Sequence, residues 1–263
     1  MTPAPDATPG AAAELLRLHR DPTLLTVVNV WDAISAKVVA ETPGTAALAT
    51  ASHSIAASYG YEDGEQIPVE TMIEACGRIV AATTLPVTAD LEAGYGDPGE
   101  TVRRAIAVGV VGCNLEDQVQ PLEEFLGHVE TVIDTAVAEG VPDFVLNART
   151  DVLLRAGDRD RDVVISEAAV RARAFVEAGA PVVFVPGKVT EDEVARLVDA
   201  VGPQRLTLIG VPGNPPLARL EELGVARVSY GPYSQRVALT ALQQLVEAVH
   251  AGGGLPDDVR PLN

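Results

Sequence analysis

Asp90 and Glu92 close a short apolar run in LPVTADLEAGYGD, Leu85 to Asp97, with Gly94 and Gly96 just beyond them. Leu85 to Ala89 reads as a buried strand after Pro86, so both carboxylates fall where a strand ends and the backbone is free to bend. Two residues apart on extended chain, their side chains point the same way and can share a cation or an oxygen-rich ligand. An ordinary polar strand-to-loop transition is the plainer reading of this segment taken alone.

The same pattern recurs. Polar residues follow other apolar runs: Asn29 with Trp31 and Asp32, Thr50 with Ser52 and His53, Asn114 with Glu116 and Asp117, Asn147 with Arg149 and Asp151, then Lys188, Gly210, and Ser229 with Tyr230. Acidic groups from three neighbouring strands thus face a single arginine, a coherent site for a divalent cation and an anionic ligand. Carboxylates are hard oxygen donors suited to Mg2+ or Mn2+, and Mg2+ keeps several waters while taking one or two carboxylates directly. Such an ion can chelate a 2-oxo acid and stabilise the enolate left when a bond beta to the carboxylate breaks. Arg149 offers a planar donor fork to the same oxygens.

Other chemistries find less support. There is no HExxH, no zinc spacing and no GxxxxGK[ST] phosphate loop. Of His19, His53, His128 and His250, only His53 lies near a strand end, so a Ser-His-Asp arrangement is poorly supported. Bland alternatives stay open. Arg149 with Asp151 is also readable as a structural ion pair, Glu116 with Asp117 as solvated loop, and Lys188 as a Schiff-base lysine or a solvated cation.

Eight strand-like runs carry these residues: Thr26 to Val30, Ala46 to Ala49, Pro86 to Asp90, Val110 to Leu115, Phe144 to Ala148, Pro181 to Val185, Leu206 to Ile209 and Val225 to Ser229. Helical patterns separate them, at about Ile34 to Glu41, Val69 to Ala82, Glu100 to Val108, Glu123 to Glu139, Ser166 to Ala178, Glu191 to Val201 and Pro216 to Leu223, with Gln235 to His250 closing the chain. The alternation predicts an α/β fold, a (β/α)8 TIM barrel, with a doubly wound open sheet as the other possibility. In a barrel, residues just past the strand ends converge on one mouth. Gly109, Gly140, Gly179 and Gly224 fall where helices should stop before the next strand. A short helix at Ala11 to His19 is placed to close the barrel's bottom. Residues 1–10 are expected to form a disordered tail, and 11–263 a single barrel domain.

Composition agrees. With 263 residues, 47% of them hydrophobic, the chain can fill one large core. Asp and Glu number 37 against 19 Lys and Arg, a formal net charge of -18, which gives no footprint for nucleic acid or an anionic membrane surface. Cys76 and Cys113 lie in apolar surroundings, consistent with buried thiols in a reducing compartment. MTPAPDATPG has neither a basic region nor an apolar run, so a cytoplasmic location is expected.

Seven segments, in order, resemble the isocitrate lyase/phosphoenolpyruvate mutase superfamily: NVWDAISAKV from Asn29, SYGYEDG from Ser58, TADLEAGYGD from Thr88, VGCNLEDQ from Val111, LNARTD from Leu146, VVFVPG from Val182 and GVARVSYGP from Gly224. The resemblance implies a (β/α)8 fold, often with a C-terminal helix exchanged between subunits, assembled as a homodimer or homotetramer. It implies an Mg2+-dependent lyase or decarboxylase acting on a small anionic 2-oxo or 2-hydroxy acid through an enolate. Asp90 and Glu92 match the metal-ligand pair, Glu116 the carboxylate that holds metal-bound water, and Asp63 the loop aspartate near the metal waters. Arg149 matches the arginine on the substrate. Thr50 and Ser52, with Trp31, match the segment that binds the substrate's carboxylate. Asn147 and Tyr230, at strand ends, complete the candidate substrate contacts, and His53 or Tyr230 is a candidate for proton transfer.

The departures are specific. The Lys-x-Cys-Gly-His element of methylisocitrate and isocitrate lyases is replaced by QVQPLEEFLGHVE, from Gln118 to Glu130, which has no Lys and no Cys. Pro186 stands where methylisocitrate lyases carry a strand-six carboxylate, and Gly210 where they carry a strand-seven asparagine. A reaction needing metal, enolate stabilisation and a small leaving group is therefore easiest to reconcile, such as oxaloacetate decarboxylation or hydrolytic or retro-aldol cleavage. A phosphonopyruvate-type P–C bond enzyme and a non-catalytic metabolite-binding barrel are the alternatives.

Overall fold

The structure, a computed structural model, describes residues 7–262. The first helix, α1 (Ala7–Arg20), precedes β1 (Leu25–Val27) and β2 (Asn29–Val30). Then follow α2 (Ala33–Ala40), β3 (Leu48–Thr50), α3 (Ser52–Ser58), α4 (Val69–Val80), β4 (Val87–Asp90), α5 (Pro98–Ala107), β5 (Gly112–Glu116), α6 (Leu122–Ala138) and β6 (Val145–Arg149). The chain continues through α7 (Arg161–Glu177), β7 (Val182–Phe184), α8 (Glu191–Val201), β8 (Leu206–Ile209), α9 (Leu217–Glu222), β9 (Arg227–Ser229) and α10 (Tyr233–His250).

All strand pairs are parallel, and the sheet runs β1-β9-β8-β7-β6-β5-β4-β3-β2. Its two ends are one stretch of chain. Leu25–Val27 pairs with β9 and Asn29–Val30 with β3, so the expected first strand is present but split at Val28, where it turns from one neighbour to the other. That shared stretch closes the ring, and the architecture is the expected (β/α)8 barrel rather than an open sheet. Short strands rich in Val, Leu and Ala are covered on the outside by helices and filled inside by one continuous core.

Local sequence explains where the helices start. Asp32 and Thr190 form capping boxes with Ser35 and Glu193, and Asp97 caps α5 ahead of Pro98 at its first position. Gly109 and Gly179, at φ 93° and 104°, end helices in the left-handed conformation, as their spacing predicted. Two helix starts differ most from expectation, and one helix was not expected at all. α1 begins at Ala7, so residues 7–10 are helical and not tail, while residues 1–6 lie outside the described residues. α7 begins at Arg161, where the Asp160 side chain accepts from Val163 N. The unexpected helix is α3, which starts directly after β3 on Ser and His residues that carry no helical periodicity.

The bottom of the barrel is closed as anticipated. Gly112 lets α1 approach: a Cβ there would stand 3.0 Å from Leu15 Cδ2 and 2.7 Å from Val145 O. His19, buried on the same helix, has its pKa pushed down to about 3 by burial and by nearby Arg227. Above it runs a polar network through the barrel interior. Asn147 Nδ2 donates to Asn114 Oδ1 (2.7 Å), Thr207 Oγ1 donates to Asn147 Oδ1 (2.9 Å), and Arg227 Nη2 donates to Asn114 Oδ1 (3.1 Å). Both cysteines are buried free thiols, and burial pushes Cys76 up to about 12.

Candidate active site

One cleft of about 290 Å3 opens at the C-terminal ends of the strands. Its floor and walls include Ser52, His53, Asp63, Asp90, Asn114 and Arg149. Asp90 ends β4, and its two oxygens have different fates. Oδ2 accepts from Ser52 Oγ at 2.8 Å and from Ser52 N at 3.3 Å, whereas Oδ1 is buried with no protein partner. A buried carboxylate oxygen without a donor is costly unless a cation or water meets it.

Glu92 does not share Asp90's face. The strand stops at Asp90 and Glu92 turns into the left-handed region at φ 52°, so the two-residue alternation expected of extended chain does not apply. Glu92 is instead buried between two loops, its Oε1 accepting from Tyr95 OH (2.9 Å) and its Oε2 from Glu65 N (2.5 Å). The turn needs Gly94, because a Cβ there would stand 2.8 Å from Pro98 Cγ. Burial raises Glu92 to about 7; the Tyr95 and Glu65 bonds oppose this, while Asp90 and Asp63 add to it.

Arg149 ends β6 and is nearly enclosed. Its Nη1 lies 2.8 Å from Glu116 Oε2 and its Nε donates to Asp151 Oδ1 at 2.7 Å, with the Phe184 ring 5.9 Å from the guanidinium carbon. Burial works against its charge, but Glu116, Asp151 and Asp90 outweigh it and the pKa stays raised. Glu116 is itself raised to about 7 by burial, against the pull of Arg149. His53 Nδ1 stands 3.5 Å from Asp63 Oδ2 across the rim.

Several expected contacts lie elsewhere. Thr50 is fully buried, and its hydroxyl accepts from Asp90 N (2.9 Å), holding β3 to β4 rather than lining the cleft. Asn147 points into the barrel interior, tied to Asn114 and Thr207. Trp31 packs on the core beside α2, its backbone N bonded to Ser35 Oγ. Neither Glu92 nor Glu116 lines the cleft. Lys188 is exposed, near Gly213, and also stands outside it. The Tyr230 ring fills the space beside Gly210, where a Cβ would be 2.5 Å from its Cε1. Gly210→Ala is therefore expected to cost about 1–3 kcal/mol in a urea melt. Gly210→Asn should be worse, and adding Tyr230→Ala should recover part of the loss. Sequence reasoning missed Leu154, Phe184, Ile209, Val211, Tyr233 and Arg236, which also line the cleft.

The raised carboxylates give stability a pH dependence in metal-free protein. An acid whose folded pKa is about 7, against an ordinary 4.5, binds more protons folded than unfolded between those values. Stability is then fully present below pH 4.5 for these groups and lost as pH rises through 7. With chelator present, the melting midpoint at pH 5.5 should exceed that at pH 8 by roughly 5 °C, other groups aside. Calorimetry at the two pH values checks it; a higher midpoint at pH 8 would overturn the assignment.

The closed ring and a cleft of opposed acids and arginine at the strand ends define a barrel enzyme. The chain belongs to the phosphoenolpyruvate phosphomutase family, whose model matches residues 15–250, and so to the isocitrate lyase/PEP mutase superfamily. It is 30% identical over 257 residues to a 2,3-dimethylmalate lyase from Eubacterium barkeri, covering 90% of this chain and 86% of that one. A provisionally named phosphonomutase from Burkholderia cenocepacia J2315 superposes with a TM-score of 0.85 at 39% identity, covering 91% of this chain and 98% of that one. An oxaloacetate acetylhydrolase bound to 3,3-difluorooxalacetate gives a TM-score of 0.83 at 26% identity, over 96% and 91% of the two chains.

Proposed function

We propose that this enzyme is a Mg2+- or Mn2+-dependent carbon–carbon lyase that cleaves a bond beta to a carboxylate in a small 2-oxo or 2-hydroxy dicarboxylate. The observation that carries the reading is Asp90 Oδ1, buried and unpartnered in the same cleft as Arg149. Among the described residues no group of three His, Cys, Asp or Glu side chains is placed to hold a metal ion. A hard cation that keeps most of its waters needs only one carboxylate directly. Asp90 would be that ligand. Asp63, in the cleft, and Glu92 and Glu116, whose charges interact with Asp90, would face the ion's waters. When bound, the ion supplies positive charge to the enolate left by bond cleavage.

The chain's own residues do the rest. Arg149 binds the substrate's carboxylate with the N–H groups not taken by Glu116 and Asp151. Ser52 holds Asp90 in place through two hydrogen bonds. His53, beside Asp63, is the group positioned to move a proton at the rim. Tyr230 is not, because its ring is committed to Gly210.

The loop after β5 argues for a small leaving group. Residues 117–121 are pinned: Asp117 pairs with Arg171 (3.0 Å) and accepts from Val119 N and Asp151 N, while Gln118 and Val119 both hold positive φ. A β-branched residue in that conformation persists only where its surroundings enforce it. This loop brings neither lysine nor cysteine to the cleft. The names of the relatives, a dimethylmalate lyase and an oxaloacetate acetylhydrolase, support the substrate class.

A turnover screen with Mg2+ and with chelator, over oxaloacetate, substituted malates, methylisocitrate and phosphonopyruvate, tests the reading. Metal-dependent release of pyruvate or another 2-oxo acid is expected. Phosphonopyruvate as the sole substrate would favour P–C chemistry, and binding without turnover a metabolite sensor. We further propose a homodimer or homotetramer, because Val237, Leu239, Leu242, Val246 and Val249 leave an apolar stripe exposed on α10. A solution mass of only 27.4 kDa at micromolar concentration would sink that. Among the described residues no helix is long and apolar enough to cross a membrane; a cytoplasmic location remains part of the proposal.

A further inference from the structure

Arg149 is not the only arginine on the cleft. Arg236, in the first turn of α10, lines it too, and its situation is the opposite. Where Arg149 is held by two carboxylates, Arg236 forms no ion pair and no side-chain hydrogen bond among the described residues. Most exposed arginines elsewhere on this acidic chain do find one: Arg17, Arg78, Arg103, Arg161 and Arg219 all pair with a nearby Glu or Asp.

Arg236 is also placed, not trailing. Ser234 Oγ donates to Asn29 O (2.6 Å), and buried Gln235 donates through Nε2 to Ser54 O and Ser58 Oγ (both 3.0 Å). These bonds clamp the first turn of α10 onto β2 and α3 although the rest of the helix is exposed. The guanidinium then lies 5.1 Å from the centre of the Tyr233 ring, itself part of the lining, which favours a flat, oriented fork at the rim. The wall also carries apolar Leu154, Phe184, Pro186, Ile209 and Val211.

Acids on the floor, two arginines and apolar side chains between polar groups make a recognisable chemical template. A monocarboxylate would engage Asp90's cation and Arg149 and leave Arg236 idle. We infer that Arg236 determines specificity by binding the second carboxylate of a four-carbon dicarboxylate, with alkyl substituents of its carbon chain against the apolar wall. This rests on the lyase reading above and narrows it to alkyl-substituted 2-oxo or 2-hydroxy diacids.

The test is titration calorimetry with Mg2+ on wild type, Arg236→Gln and Arg236→Lys, using oxalate and 2-methylmalate as probes. Oxalate is short enough to occupy the floor alone. The inference expects Arg236→Gln to weaken 2-methylmalate by about tenfold or more while oxalate changes less than about twofold, with Arg236→Lys in between. In turnover, KM for the diacid should rise with kcat little changed. Unchanged binding of both probes to Arg236→Gln would overturn the inference, and so would equal weakening of both, which marks a diffuse charge effect. Wild type that binds oxalate but not 2-methylmalate would overturn it while leaving the lyase reading intact. Wild type that binds neither would overturn both.

Discussion

Arg149→Met is expected to lower kcat/KM by about a thousandfold or more and to destabilise the fold by about 3–5 kcal/mol at pH 8. Two separate losses combine. The first is the donor fork facing the cleft, which has no substitute on β6. The second is the counterion of Glu116 and Asp151, both buried carboxylates with raised pKa. Without Arg149 their folded pKa values rise further, so the stability loss should grow as pH rises and shrink as pH falls. Arg149→Lys separates the effects. It keeps the charge and much of the stability but cannot reproduce the paired Nε and Nη1 contacts, so its kcat/KM should stay low. Steady-state kinetics and urea melts at pH 5.5 and 8 read both. Near-wild-type turnover in Arg149→Met would remove the residue from the proposed substrate contact.

Arg149 and Asp90 were legible in the sequence for a simple reason: each ends a strand, and a barrel sends strand ends to one mouth. The same logic misplaced their neighbours. Thr50 and Asn147 also end or lie in strands, but which face a strand residue presents depends on tilt and register, and both turn to partners inside the protein. Glu92 was given Asp90's direction because alternation holds only while the chain stays extended. A left-handed glutamate immediately after the strand leaves no mark in the residue types. α3 was invisible because ASHSIAAS mixes polar and small residues without a 3.6 period, and its helical state is set by packing. Arg236 lies past the end of β9, where the last strand's mouth is completed by the first turn of the helix that follows, so strand ends alone do not mark it. Arg227 reads like any solvated arginine, yet it stands fully buried in β9 above α1.

Asp90→Asn is the substitution that isolates the cation site. The asparagine carbonyl oxygen can still accept from Ser52 Oγ and N, so the local fold should survive and the thermal midpoint should not fall. Removing the negative charge should even help the metal-free protein, because Asp90 is among the groups that raise Glu92 and Glu116. What disappears is the anionic Oδ1 in the cleft. An amide cannot offer Mg2+ the same hard, charged oxygen, so affinity for the ion should drop by more than about a hundredfold and turnover by about a thousandfold. Arg227 works the other way. Burial lowers its pKa to about 10 and Asp90 partly restores it. The variant removes that support from a buried guanidinium, which offsets part of the stability gained at Glu92 and Glu116. Calorimetric Mg2+ titration, thermal melts and kinetics, all on one preparation, distinguish the cases. A stable Asp90→Asn protein that binds Mg2+ normally would move the cation away from β4. Lost binding in a folded protein would show that one carboxylate oxygen, left without a protein partner, is where the chemistry is anchored.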